Sequence, residues 1–202
     1  MIYSSLNDST WGLKLVGLLA GGTLVATHTY AKVKALSFQV WLKSLPRHHS
    51  AGVVLLSLST AWVFFLLAGG NLGFVSWPPL DLGEFHTLRT PLLIGLPIGC
   101  FLVARYVDEF LFPRALGALA MLLASVMLDA AFLREITPHL AKLLIPLLAY
   151  AAIIASLFWV GIPYVFRDQI EWASATRARW NGLCLGGIVY GILLILSALL
   201  FY

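Results

Sequence analysis

An aspartate stands inside an otherwise apolar run, AMLLASVMLDAAFL, five residues before Arg134. At the helical rise of about 1.5 Å per residue, Asp129 falls about 7.5 Å inside the boundary that Arg134 marks. A charge in a lipid-embedded helix costs about 2.5 to 3.5 kcal/mol at the centre and less near the interface. Asp129 must therefore face protein and hold a partner or a proton. Arg134 is about 140° around the same helix, which makes it a poor partner. Lys14 is better placed, about 4.5 Å inside the same boundary when Trp11 marks the interface, and Lys142 is a second choice. The simpler reading of Lys14 and Asp129 is a structural charge pair; the sharper one is a pathway for a proton or a small ion.

The other residue types that do chemistry lack the spacing for it. No Gly-x-Ser-Gly nucleophile string and no His-Glu-x-x-His metal motif occurs, so serine proteolysis and zinc-assisted hydrolysis within a membrane have no visible machinery. Asp108, Glu109 and Arg114 have the wrong first acid and the wrong spacing for the Glu-Glu-x-x-x-Arg motif of prenyl-protein proteases; a turn in which Arg105 meets Asp108 or Glu109 is the plainer reading. A haem held between helices needs two imidazoles at equal depth. His28, His48 and His49 are expected on one face, with His86 and His139 on the other, all near span ends where an imidazole reaches water. Cys100 and Cys184 both sit in apolar runs, so neither a disulfide framework nor a Cys-x-x-Cys site is available. No cofactor and no metal is expected.

These residues are positioned by elements that the composition defines. The chain is 60% apolar and 11% charged, against roughly half and about a quarter in soluble domains. Lipid as solvent removes the contradiction of so much outward apolar surface. Six segments approach the roughly 20 apolar residues that a span requires: 11–30, 51–76, 90–107, 113–133, 138–166 and 180–201. Runs such as YGILLILSALLFY are apolar on every side and exclude alternating transmembrane strands. The fold expected is an all-α polytopic membrane bundle of about six transmembrane helices forming one domain over residues 1–202. The third segment carries Pro91, Gly95, Pro97 and Gly99 and is expected to span, with a re-entrant hairpin as the alternative. Pro113 fits the first turn of the fourth helix, and Thr137 with Pro138 reads as the start of the fifth. Between the first two spans, Phe38, Trp41, Leu42 and Leu45 share one side of a helical wheel and Lys32, Gln39 and Lys43 the other, the pattern of a short interfacial amphipathic helix.

Glycine spacing marks close helix approaches. Gly182 with Gly186, and Gly187 with Gly191, form overlapping small-xxx-small pairs in the last span, matched by Gly17 and Gly21 in the first. Such a face packs against another helix of this chain or of a partner. The outer loop from Ser76 to Thr90 reads as a turn anchored by Trp77. With catalytic strings absent, the leading expectation is a non-catalytic accessory, scaffold or assembly subunit of a membrane complex. A small-solute or proton-coupled transporter using Lys14 and Asp129 is the alternative. A lipid-modifying enzyme acting through Glu84, His86 or His139 is the third. The partners expected are membrane lipid and other membrane subunits or further copies of the chain, and not nucleic acid, since the basic residues punctuate apolar runs instead of forming a block. The polar start MIYSSLNDST lacks the basic region and cleavage site of a secretory signal, so the first span should be retained, and the want of a targeting extension points to a bacterial inner membrane.

Orientation follows from the basic residues. Lys32, Lys34, Lys43 and Arg47 lie in the first loop, Arg105 and Arg114 in the third, and Arg167, Arg177 and Arg179 in the fifth; Lys14, Arg89, Arg134 and Lys142 lie on the opposite side. The richer side should be cytoplasmic, which puts both termini outside. With Cys100 and Cys184 replaced by Ala, Ser5→Cys should react with an impermeant maleimide on intact cells and Ser50→Cys should not. Equal labelling refutes the orientation.

Overall fold

The computed structural model describes residues 10–71, 76–77, 80, 82–107, 110–132 and 139–201. Among them the chain forms eight α-helices: α1 (Thr10–Val33), α2 (Ala35–Ser44), α3 (His49–Ala68), α4 (Arg89–Tyr106), α5 (Leu111–Phe132), α6 (His139–Gly161), α7 (Tyr164–Ser174) and α8 (Arg177–Leu200). Short 3-10 turns cover Leu45–Arg47 and Gly83–Leu88, and β1 (Gly70–Asn71) pairs antiparallel with β2 (Ser76–Trp77) for two residues each. The architecture is a helical bundle. Among the described residues, five stretches are long and apolar enough to cross a membrane: His49–Ala68, Gly83–Tyr106, Leu111–Ala131, Leu143–Gly161 and Arg177–Leu200. The helix α1 has 24 residues but is less apolar, because Lys14, Thr23, Thr27, His28 and Lys32 dilute its leucines.

Several elements differ from the sequence expectation. The second helix ends at Ala68, not at residue 76, since Gly69 takes φ 63° and turns the chain into the β1–β2 ladder. A positive φ is cheap for glycine, which has no Cβ to clash. The 90–107 segment is one helix with Pro97 inside it, not a hairpin. Pro113 lies in the first turn of α5, where a missing N–H costs nothing. The fifth segment breaks early: α6 stops at Gly161, and Pro163 precedes a separate amphipathic helix, α7, that buries Phe166 and Ile170. The amphipathic helix expected over 31–45 is α2, although residues 31–33 continue α1. The expected cap at Thr137 and Pro138, the pairing of Arg105 with Asp108 or Glu109, and the position of Arg134 lie outside the described residues, as does the side chain of Trp77.

The helices pack as two close antiparallel pairs, α1 with α8 and α5 with α6, with α3 laid against α5 and α4 meeting the bundle chiefly through α3. Glycines set each close crossing. A Cβ on Gly21 would stand 2.7 Å from the Gly191 carbonyl oxygen, and one on Gly191 would stand 2.8 Å from that of Gly21. Gly52 admits the backbone of Leu111 and Phe112, and Gly117 admits Ser156 and Val160. This close backbone approach brings the dispersion contacts that hold the pairs. The last-helix glycine face is therefore divided. Gly187 receives the His28 ring and Gly191 the α1 backbone, whereas Gly182 and Gly186 look into open space. At the opposite end, Arg89 Nε–H and Nη2–H donate to the carbonyls of Leu67 and Ala68, both at 2.7 Å. They satisfy the last turn of α3, whose orphan carbonyls also carry the negative end of the helix dipole.

Gly191→Leu should lower the thermal stability of the detergent-solubilised protein, at an overpacking cost of about 1 to 3 kcal/mol. Gly186→Leu, on the open side of the same helix, should leave it unchanged. Equal shifts would mean that α1 and α8 do not meet at this face.

Candidate functional site

Four helices converge on one layer. Leu13 and Val16 of α1, Ala130 of α5, Ile145 of α6 and Leu194 of α8 form a buried cluster, with Val126, Met127 and Tyr190 packed around it. Lys14 and Asp129 are the chain neighbours of Leu13 and Ala130, so both lie at the level of this layer, each turned about 100° around its helix from that neighbour. Both are partly buried. No ion pair joins them: Asp129 Oδ2 is shielded from solvent and has no hydrogen-bond partner. Lys142, the second candidate partner, lies in α6, but its side chain is outside the described residues.

The surroundings sharpen the demand for a partner. Asp129 falls in the last turn of α5, where the carbonyl end of the helix disfavours negative charge. Pro146 interrupts α6 beside the cluster and takes one N–H donor out of its ladder. Tyr190 Oη–H donates to the Leu144 carbonyl at 2.6 Å, tying α8 to α6 two residues before this proline. Several hydroxyls elsewhere in the bundle are satisfied within their own helices: Ser59 donates to Leu55 at 2.8 Å, Ser156 to Ala152 at 2.6 Å and Ser125 to Leu122 at 2.8 Å. Thr23 and Thr27 do the same on α1, to Leu19 at 2.8 Å and to Thr23 at 2.7 Å. A membrane interior tolerates polar groups on that condition. Asp129 Oδ2 breaks it, and an oxygen so placed can take a proton, a cation or the ammonium of Lys14.

Of the remaining sequence candidates, Glu84 and His86 are exposed on the 3-10 turn before α4, and the side chain of His139 is outside the described residues. They are not shown converging. Among the described residues, no group of three or more His, Cys, Asp and Glu side chains could hold a metal ion. His28, expected near a span end, lies within α1 with Nδ1 2.8 Å from the Leu24 carbonyl oxygen and its ring against Gly187. Tyr190 and Pro146 escaped the sequence reading. Their signals are a phenol and a proline inside runs otherwise made of aliphatic residues.

Comparison with protein-family models, with curated proteins and with solved structures finds no match. The class rests on the fold itself, a helical bundle with five helices of membrane-spanning length and apolarity.

Charge removal separates the uses of Asp129. If Lys14 supplies its counter-charge, Asp129→Asn and Lys14→Met should each lower the yield of folded protein, and the double variant should recover it, because a lone charge in a poorly hydrated layer costs more than none. A proton carrier behaves otherwise: Asp129→Asn stays folded and loses transport, since an amide cannot bind and release the proton. Unchanged yield, stability and phenotype in both single variants would place Asp129 in contact with water.

Proposed function

We propose that the chain is an integral membrane protein of the bacterial inner membrane, with six spans and both termini outside, that serves as a non-catalytic subunit of a larger membrane assembly. The sixth span is α1. It runs antiparallel along α8, with Gly21 facing Gly191, His28 facing Gly187 and the Ala31 carbonyl accepting from Trp180 Nε1–H at 3.1 Å. A helix paired along the length of a spanning helix shares its depth. Its 24 residues reach about 36 Å, enough for a hydrocarbon core of about 30 Å. Orientation follows from the basic residues gathered on α2, α7 and the start of α8.

The observation that carries the subunit reading is α4. It has no buried residue and leans chiefly on α3. Its Gly95 and Gly99 have nothing within 4 Å of where a Cβ would stand. Together with Leu56 and Thr60 of α3 they line a shallow groove of about 310 Å3. Glycine offers lipid tails little to pack against but lets a second helix approach closely. A helix from another membrane polypeptide suits that groove. Asp129 Oδ2 supports a second reading, a proton-coupled or small-ion carrier with Lys14 and Asp129 in its path.

Purification from native membranes in mild detergent should yield a stoichiometric partner, and Gly95→Leu with Gly99→Leu should strip it while the chain stays folded. A lone monodisperse protein, or a complex indifferent to both substitutions, would remove α4 as the docking element.

A further inference from the structure

On the basic face of the bundle, α1 ends at Val33 and the chain bends at Lys34, whose φ of −105° and ψ of 41° are not helical. The helix α2 then runs off beside the start of α8. The bend opens a cleft of about 540 Å3 between the two helices, bounded on a third side by the end of α7 at Ser174 and Ala175. This volume is within the range of small-ligand sites.

The lining is divided by chemistry. Lys34, Ser37, Gln39, Arg177 and Asn181 supply cations and hydrogen-bond donors, while Val33, Leu36 and Trp180 supply apolar surface. No carboxylate lines it. The acids of α7 are engaged elsewhere: Arg167 lies 2.9 Å from Asp168 and 3.9 Å from Glu171, and Arg167 and Glu171 line a separate cleft with Lys43 and Arg47. Arg179 stacks over Trp172 at 5.2 Å, and so is already occupied. Lys34 and Arg177 are thus the cations that serve the cleft, and among the described residues neither has an acidic partner. The wall is rigid, because Trp180 is 6% exposed and held by its hydrogen bond to Ala31. Val33 and Leu36, beside the cations, are 73% and 78% exposed. A soluble anion has no use for those two side chains.

We infer that this cleft binds the phosphate of an acidic phospholipid. Lys34 and Arg177 neutralise the head group, Ser37, Gln39 and Asn181 donate to its oxygens, and Val33 and Leu36 meet the start of its acyl chains. The level is right, since Lys34 and Arg177 end the paired helices α1 and α8 where head groups meet water, and basic residues there draw acidic lipid. Arginine adds a planar fork that matches two phosphate oxygens. The inference rests on membrane placement of the long helices and not on the subunit reading.

The full chain would be placed in nanodiscs of phosphatidylcholine, alone or with a minority of phosphatidylglycerol, and lipid retention read by native mass spectrometry alongside thermal stability. Retention of phosphatidylglycerol over phosphatidylcholine should fall about tenfold in the Lys34→Gln, Arg177→Gln double variant. It should hold in a Lys43→Gln, Arg47→Gln double variant, which removes the same charge from the neighbouring cleft. If the first pair fails to fold, Ser37→Ala with Asn181→Ala should still lower the preference. Equal loss in both double variants, or no preference in the parent, overturns the site. Stabilisation by inorganic phosphate in pure phosphatidylcholine, lost in the Lys34 and Arg177 variant, would keep a phosphate site and overturn lipid as its occupant. Failure to enter nanodiscs at all would instead defeat the membrane placement.

Discussion

The contact between Gly21 and Gly191 organises the bundle. Two backbones meet there with no side chain between them, and each glycine leaves room for the carbonyl of the other. Once the first and last helices are joined, Leu13 and Leu194 reach the same layer as Ala130 and Ile145, and the polar groups of that layer come with them. At the other end the same pairing seats Trp180 under Ala31, which fixes where α1 must bend and therefore where α2 starts. A larger residue at either glycine would move both ends of the pair.

The base of the bundle is held by a different kind of contact. Phe112 and Phe166 lie 6.0 Å apart, Trp159 meets Phe166 edge-on at 5.1 Å, and Phe38 reaches Trp180 at 6.1 Å. These rings bind α2 and α7 to the ends of α5, α6 and α8. Aromatic pairs of this kind contribute about 0.5 to 1.5 kcal/mol beyond the area that they bury. Trp159 also donates from Nε1 to Gln169 at 2.9 Å, so the start of the amphipathic layer is hydrogen-bonded to the helix above it. The molecule thus combines polar-free glycine crossings within its long helices with aromatic and polar contacts where the chain leaves them.

Much of this was legible in the sequence because a lipid-facing helix is written as an unbroken apolar run. The long helices and the exceptional position of Asp129 follow from that, and the amphipathic α2 follows from the split of apolar and polar residues around a helical wheel. The separate helix α7 did not, since the aromatic residues Tyr164 and Phe166 prolong the run that Gly161 and Pro163 interrupt. Which glycines pack was also hidden. Gly186 and Gly187 are adjacent in sequence, yet one faces open space and the other the His28 ring, because 100° of rotation separates them and only the partner helix decides between them. Of the candidate site, Asp129 stood out as an acid within an apolar run, but the charge pair expected with Lys14 is not formed in the structure. The contribution of Tyr190 and the gap at Pro146 depend on which helix lies beside which, and an apolar run without periodicity carries no such information.

The pairing of α1 with α8 has a temporal side. Among the described long helices, α1 precedes the others in synthesis and its packing partner α8 follows them all. Until then Thr23, Thr27 and His28 have only their own helix for hydrogen bonding, and Gly21 has no neighbour. The early segment must therefore wait for α8, and this pair closes only after the helices between them have been made. Loop closure over so long a separation is slow. That interval is when the nascent protein is most open to a chaperone, a protease or an incorrect helix partner.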